Sequence, residues 1–296
     1  MKKTILLSLL LTAFFSPLFS QNLKYADSIN QWHAKSIQSL TQDNGWLNLE
    51  GLFWLHTGVN YFGSANNLDC HYANTKFPDT LGRFDFKGDS VLWENNKNFN
   101  ITINKKVTQQ NSKYAVFGPN TKEAVMDYGP FSWVIIKRED KVGVRFRNLK
   151  AKTLLEFKGI ERFPITENWK VNAKLVQPAQ DYLMITNVLG QTTPTKNAGK
   201  LEFQKNGQTY TLDVIDEGGS NLFLVFADQS SGVTTYGAGR FLDIPKPDKE
   251  GNTVIDFNKA YNPPCAFTAY ATCPLPPKQN RLALNIEAGE KNYGHH

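Results

Sequence analysis

The side chains of this chain best suited to chemistry are three arginines set among tyrosines and asparagines. Arg145, Arg240 and Arg281 keep company with Tyr236, Asn258, Tyr261, Asn262 and Asn280. Arginine presents a planar donor fork that matches a carboxylate or a phosphate. Tyrosine and asparagine add hydrogen bonds and a stacking face. With Asp256 these residues are the inventory of a pocket for a small anionic or sugar-like ligand. The same inventory also builds a buried polar network that pins a long loop, for instance with Arg240 paired to Asp256. Both readings stand at this point, because a long ordered loop must satisfy its backbone groups whether or not it binds anything.

Cys265 and Cys273 are the second chemical feature. In an exported chain they are expected to form a disulfide, and the alternatives are a reactive thiol or a metal ligand. Zinc needs four deprotonated N, S or O ligands. Cys70-His71 has no paired ligand nearby in sequence, so no metal and no cofactor is expected, and Cys70 reads as a small buried hydrophobe. A hydrolase is the alternative function, with Asp256 or Cys265 as its working residue. No Gly-x-Ser-x-Gly, His-Glu-x-x-His or phosphate-cradling loop is present. Of the five histidines, His295 and His296 are tail residues and His33 reads as solvated on a helix. His56 and His71 remain as general bases, with His56 better read as a structural imidazole. Asp228 with Asp256, or Asp213 with Asp216, would be the carboxylate pairs of a glycosidase, but nothing in their spacing turns either pair into one cavity. No catalytic residue is assigned.

Most of these residues lie in one segment, DFNKAYNPPCAFTAYATCPLPPKQNR, residues 256–281. Its five prolines and few aliphatic side chains exclude an ordinary core strand or helix. It reads as a long ordered loop. The elements around it are mostly β. Tyr25, Ile29, Trp32, Ile37 and Leu40 recur at helical spacing, which predicts an amphipathic N-terminal helix within residues 21–43. Thereafter short apolar runs alternate with turn residues. Hairpins are expected across Gly88-Asp89, across Glu139-Asp140 and across Asn206-Gly207, the last because Asn-Gly accepts the positive φ angles of a two-residue turn. In Val142 to Arg147 the alternation puts Arg145 and Arg147 on the face opposite the core. Residues 221–227 read as a strand buried on both faces, and Leu282 to Ile286 as the last regular strand. A helix after residue 41 is suggested only near Lys122 to Met126. The fold class is therefore all-β, many short antiparallel strands in sandwich- or barrel-like units. A composition dip between Asn148 and Glu167 divides an N-terminal β-domain, 44–150, from a C-terminal β-domain, 151–291, with 292–296 as a tail.

The N-terminus carries Lys2 and Lys3, an apolar run from Ile5 to Phe15, Pro17 and the small Ser20. This is the order of a secretory signal peptide over residues 1–20. An apolar run of that length is too short to span a bilayer, which needs ~20 residues, and no later segment would cross one. A periplasmic or secreted protein is expected. Loss of Lys2 and Lys3 takes the formal charge from +6 to +4. The remaining charges are dispersed, with no basic stripe interleaved with aromatics, so nucleic acid is not an expected partner.

Several segments resemble the domain-of-unknown-function 1684 family. GWLNLEGLFWLHTGVNYFGS (residues 45–64) resembles its opening, residues 223–242 its middle, residues 256–281 its close and Ala288-Gly289-Glu290-Lys291 its end, together spanning roughly residues 28 to 291. The resemblance implies a bacterial, often exported protein without an established activity. The opening also resembles a forkhead-associated domain, but Ser64 follows Gly63 where that family has an arginine, and no Ser-x-x-His lies downstream. Phosphothreonine binding needs those donors and is not expected. The function that these readings support first is a small-ligand-binding module, anionic or glycan-like, with its site near residues 256–281. The other two are the hydrolase and a structural protein of the cell envelope.

Overall fold

A computed structural model of the chain describes residues 16–95 and 97–294. The expected signal peptide falls mostly outside them, as do the last two residues of the tail. Helix α1 runs Ser16–Thr41, so it begins earlier than the predicted helix. Ile29 is fully buried, and Tyr25, Trp32, His33 and Ile37 on the same side are half-buried. Among the described residues no helix is long and apolar enough to cross a membrane.

The chain forms two compact units. One comprises residues 40–158 and 267–271, and we call it the N-terminal unit. Its strands are β1 (Leu49–Trp54), β2 (Gly58–Gly63), β3 (Cys70–His71), β4 (Gly82–Lys87), β5 (Ser90–Glu94), β6 (Thr102–Ile103), β7 (Lys106–Val107), β8 (Lys113–Phe117), β9 (Met126–Tyr128), β10 (Phe131–Arg138) and β11 (Lys141–Asn148). They make a six-stranded sheet, β1-β11-β10-β9-β6-β7, and a five-stranded sheet, β3-β2-β4-β5-β8. The core lies between them and is aromatic. Phe62 of one sheet meets Trp133 and Phe146 of the other at ring-centroid distances of 5.4 and 5.5 Å. Edge-to-face contacts of this kind add to the burial of each ring.

The hairpins across Gly88-Asp89 and Glu139-Asp140 are present as β4–β5 and β10–β11. In β11 the apolar side chains do alternate inward, but the opposite face is not open. Arg147 is buried and donates to the carbonyls of Gly45 and Asn44, and Arg145 lies over the Trp46 ring at 5.1 Å. The chain before β1 covers that face, which alternation alone does not reveal. The expected helix near Lys122 to Met126 does not form. Its last residue opens β9, and the short helix α2 (Lys152–Leu155) stands further on.

The second unit, the C-terminal unit, comprises residues 1–39, 159–266 and 272–296. Its strands are β12 (Lys170–Val176), β13 (Tyr182–Thr186), β14 (Thr192–Lys205), β15 (Gln208–Ile215), β16 (Asn221–Phe226), β17 (Arg240–Pro245) and β18 (Asn252–Asp256). They order as β17-β16-β15-β14-β12-β18, with β13 pairing the first half of β14. The β14–β15 hairpin turns at Asn206 (φ 52°) and Gly207 (φ 75°), as the Asn-Gly pair predicts. Leu201, Phe203, Leu212, Leu224, Phe226 and Phe257 fill the core. The predicted final strand is absent as a regular element. Leu282, Leu284 and Ile286 still alternate inward, but their backbone bonds go to the turn after β16, Leu282 N to Ala227 O and Gln229 N to Leu284 O. The inward period is there; a continuous ladder partner is not.

Candidate functional site

The loop 256–281 holds only three short 3₁₀ turns, Phe257–Lys259, Pro264–Ala266 and Lys278–Asn280. Its polar side chains are spent on the protein itself. Asp256 Oδ1 caps the first turn by accepting from Asn258 N, and it also accepts from Tyr25 Oη of α1 at 2.8 Å. Asn258 is buried, donating to Thr166 O and Tyr25 Oη and accepting from Thr166 N. Asn280 is buried and staples two strands, accepting from Asp213 N and donating to Asp213 O and Val225 O. Asn262 donates to Glu290 Oε2 and Lys291 O. Tyr261 Oη reaches Asp243 at 3.4 Å, and Tyr236 Oη donates to Cys265 O at 3.2 Å. Arg281 is exposed.

Arg240 is fully buried. Its partner is Asp228, not Asp256: Nη2 lies 3.4 Å from Asp228 Oδ2, and the guanidinium also donates to the carbonyls of Ile286, Ala288 and Glu290. Asp228 in turn accepts from Ser230 Oγ and from Ile286 N. The arginine thus ties the turn after β16 to the chain's last extended segment. Of the nine residues read from sequence as a pocket, eight lie in the C-terminal unit, while Arg145 belongs to the N-terminal unit.

The cysteines depart from expectation as well. Cys265 and Cys273 are not joined by a disulfide, and Cys273 Sγ accepts from Cys265 N at 3.0 Å. The polar pins just described hold the loop without a covalent staple. A hydrogen bond from Cys273 lowers the Cys265 thiol's pKa, while burial opposes that change. Cys70 is buried, and burial pushes its thiol up to about 12, which suits an inert side chain. Neither carboxylate pair forms. Asp228 is locked to Arg240 and Ser230, Asp256 caps its turn, and Asp216 pairs Lys246 at 2.8 Å. Among the described residues no group of three or more His, Cys, Asp or Glu could hold a metal ion.

His56 is exposed, with one ring nitrogen 2.9 Å from Asp69 Oδ1 and the other 3.1 Å from Thr57 O. Two such partners call for a proton on each nitrogen, and the pKa is raised accordingly, first by Thr57 O and then by Asp69. His33 is not solvated as the sequence suggests. Its Nδ1 sits 3.6 Å from Glu290 Oε1, with side-chain exposures of 14% and 2%. Burial lifts the Glu290 carboxyl to about 7, against the pull of Asn262, Arg240 and Arg162. Burial and Arg162 lower His33, while a bond to Ile160 O raises it.

An open concavity lies in the N-terminal unit. A cleft of about 760 Å³ is lined by Glu50 of β1, Tyr72 to Lys76 after β3, Pro130 and Phe131 at the start of β10, Asn148, Lys150 and Lys152 after β11, and Tyr270. Its floor is one hydrogen-bonded chain. Asn74 Nδ2 donates to Tyr72 Oη at 3.2 Å, Tyr72 Oη donates to Glu50 Oε2, and Asn148 Nδ2 donates to the same oxygen at 3.0 Å. Burial and Glu50 push Tyr72 up to about 12, so the phenol is neutral and a fixed donor at pH 7. Lys150 N donates to Asn148 Oδ1, which orients the amide. Tyr270 belongs to the 256–281 loop. Its N donates to Thr268 Oγ1, which itself donates to Leu49 O. Sequence reading missed Glu50, Tyr72, Asn74 and Asn148 because they are distant in the chain and individually ordinary. Tyr270 was within reach, since it lies in the segment singled out for its composition.

Residues 155–291 match a family model described as "Protein of unknown function (DUF1684)". This segment is similar to that family. The match covers all seven strands of the C-terminal unit and leaves out the opening motif at residues 45–64. No curated protein matches the chain. Among solved structures, an uncharacterized protein from gene locus rrnAC0354 of Haloarcula marismortui shares 25% identity over 46% of this chain and 77% of its own, with a TM-score of 0.39. A structure titled for phosphothreonine-dependent FHA domain interactions shares 14% over 32% of this chain and 92% of its own, TM-score 0.23. Rad53 1–466 in complex with AMP-PNP shares 13% over 67% and 46%, TM-score 0.21.

Proposed function

We propose that this protein is a binding module for a small anionic or sugar-like ligand, taken in the cleft of the N-terminal unit. The observation that carries the reading is the cleft's lining: a fixed Asn74–Tyr72–Glu50–Asn148 floor, Tyr270 at the side and three lysines, in a concavity of about 760 Å³. Ligand sites are concave, of about 300–1,000 Å³, with a few oriented polar groups. The loop 256–281 contributes Tyr270 and otherwise serves as scaffold. Asp256 caps its own turn and the Cys265 thiol is hydrogen-bonded to Cys273, which counts against the hydrolase reading. Calorimetric titration of the full chain with a panel of small anions and monosaccharides tests the proposal. Saturable binding that Tyr270→Ala weakens, with the melting temperature unchanged, supports it. Binding unaffected by changes at Tyr270 and Lys150 would place the site elsewhere.

The same reading includes export, carried by the order of Lys2, Lys3, the Ile5 to Phe15 run and Ser20. Mass measurement of the mature N-terminus after expression with the leader tests it. A chain that keeps Met1 and stays with the cytoplasm would refute export.

A further inference from the structure

Resting on the cleft reading, we infer that the ligand is an acidic sugar: a polyhydroxylated ring carrying a single carboxylate. Charge comes first. Lys76, Lys150 and Lys152 face the concavity against one carboxylate, Glu50. The balance favours an anion, yet Glu50 on the floor repels a second negative charge. A phosphate ester brings nearly two charges at neutral pH. A carboxylate brings one. No arginine lines the cleft, so the planar fork that recurs in phosphate recognition is missing, and lysine acts as a point charge.

The floor supplies the rest. Glu50 is half-buried and held by two donors on one oxygen. A carboxylate accepts at about four lone-pair positions, so it keeps capacity for ligand hydroxyls. Asn74 and Asn148 each carry both donor and acceptor atoms, which suits hydroxyls that must do both. Tyr270 is 39% exposed and offers an aromatic face to the apolar side of a sugar ring. A carboxylate on the lysine side and hydroxyls over Glu50 and Asn148 satisfy every group with one molecule. A neutral sugar leaves the lysines unused, and a bare anion leaves the floor unused.

The test is isothermal titration of the full chain with glucuronate, glucose and glucose 6-phosphate, at low and at physiological salt. Glucuronate is expected to bind at least tenfold more tightly than either of the others, and to weaken as salt screens the exposed lysines. Lys150→Glu is expected to reduce glucuronate affinity by roughly tenfold and leave glucose unchanged. Lys150 is exposed, so an unchanged melting temperature is expected for that variant, and Tyr270→Ala, which should weaken glucuronate and glucose alike, is the second variant. Equal binding of glucose and glucuronate, or tighter binding of the phosphate ester, overturns the acidic-sugar assignment while the binding module stands. If none of the three binds, the assignment falls, and the binding reading then rests on the wider panel of anions.

Discussion

At the scale of single residues, the buried charges divide into those that clamp and those that titrate. Arg240 clamps. Replacing it with alanine leaves Asp228 buried without its cation and frees the Ile286, Ala288 and Glu290 carbonyls from their donor. Breaking a buried pair in this way costs about 3–5 kcal/mol. Chemical denaturation of Arg240→Ala should show a loss of that order; a loss within experimental error would mean that the network contributes nothing. Glu290 titrates. Its carboxyl is raised to about 7 in the fold, so the folded chain holds a proton that the unfolded chain gives up at ordinary carboxylate pH. That stabilisation is complete below about pH 4 and is lost as pH rises through 7. Glu290→Gln removes the ionisation, so its stability should fall less than that of the wild type between pH 5 and 8. His33 runs in the opposite sense, because its lowered value gives stability above 6.5 that is lost on acidification. Parallel slopes for wild type and Glu290→Gln would show that the carboxyl does not titrate there.

At the scale of elements, the loop 256–281 is rigid through side chains that replace a ladder. Asn280 alone serves the backbone of two strands. Asn280→Ala strands Asp213 N–H, Asp213 O and Val225 O in the interior, and each orphaned group costs about 1–3 kcal/mol. The expected loss is therefore several kcal/mol, read from the denaturant midpoint, whereas Arg281→Ala at the exposed neighbour should change little. The thiols give a second check on the same loop. Unfolded protein should titrate three thiols, Cys70, Cys265 and Cys273, and reductant should leave the melting temperature unmoved. A reductant-sensitive melt would mean that the loop is stapled after all. Composition made the loop legible, because prolines and polar residues exclude a strand. It did not reveal whether those polar residues face a ligand or the protein's own backbone, since that depends on partners such as Asp213 and Thr166 far away in the chain. Hairpins were legible for the opposite reason: Asn206-Gly207 and Gly88-Asp89 are local signals. The stretch at residues 282–286 kept its inward period without becoming a strand, because pairing is decided by a neighbour that no local pattern names.

At the scale of the whole molecule, all-β architecture follows from the short alternating runs, and the helix from its period. The assignment of α1 to the C-terminal unit does not, because the residues that join it there are remote. Tyr25 and Asp256 are 231 positions apart, and Ile29 is fully buried. Ile29→Ala should cost about 2–5 kcal/mol. Hydrogen exchange should show the loss in α1 and in β12 to β18, and an effect confined to the helix itself would mean that the helix adds nothing to the unit's stability. The cleft was invisible in sequence for the same reason, being assembled from β1, the turn after β3, the end of β11 and a five-residue visit by residues 267–271.

That discontinuity bears on how the chain is made. Synthesis proceeds from the N-terminus and domains generally fold as they emerge. Residues 40–158 can gather their two sheets early, but α1 is produced first and completed last. Its partners Asp256 and Glu290 lie near the far end, so the apolar side of α1 has no native cover until almost the entire polypeptide exists. Contacts so distant in sequence are closed slowly. Under the export proposed above, that delay would keep the earliest segment available to whatever machinery handles it before folding is finished.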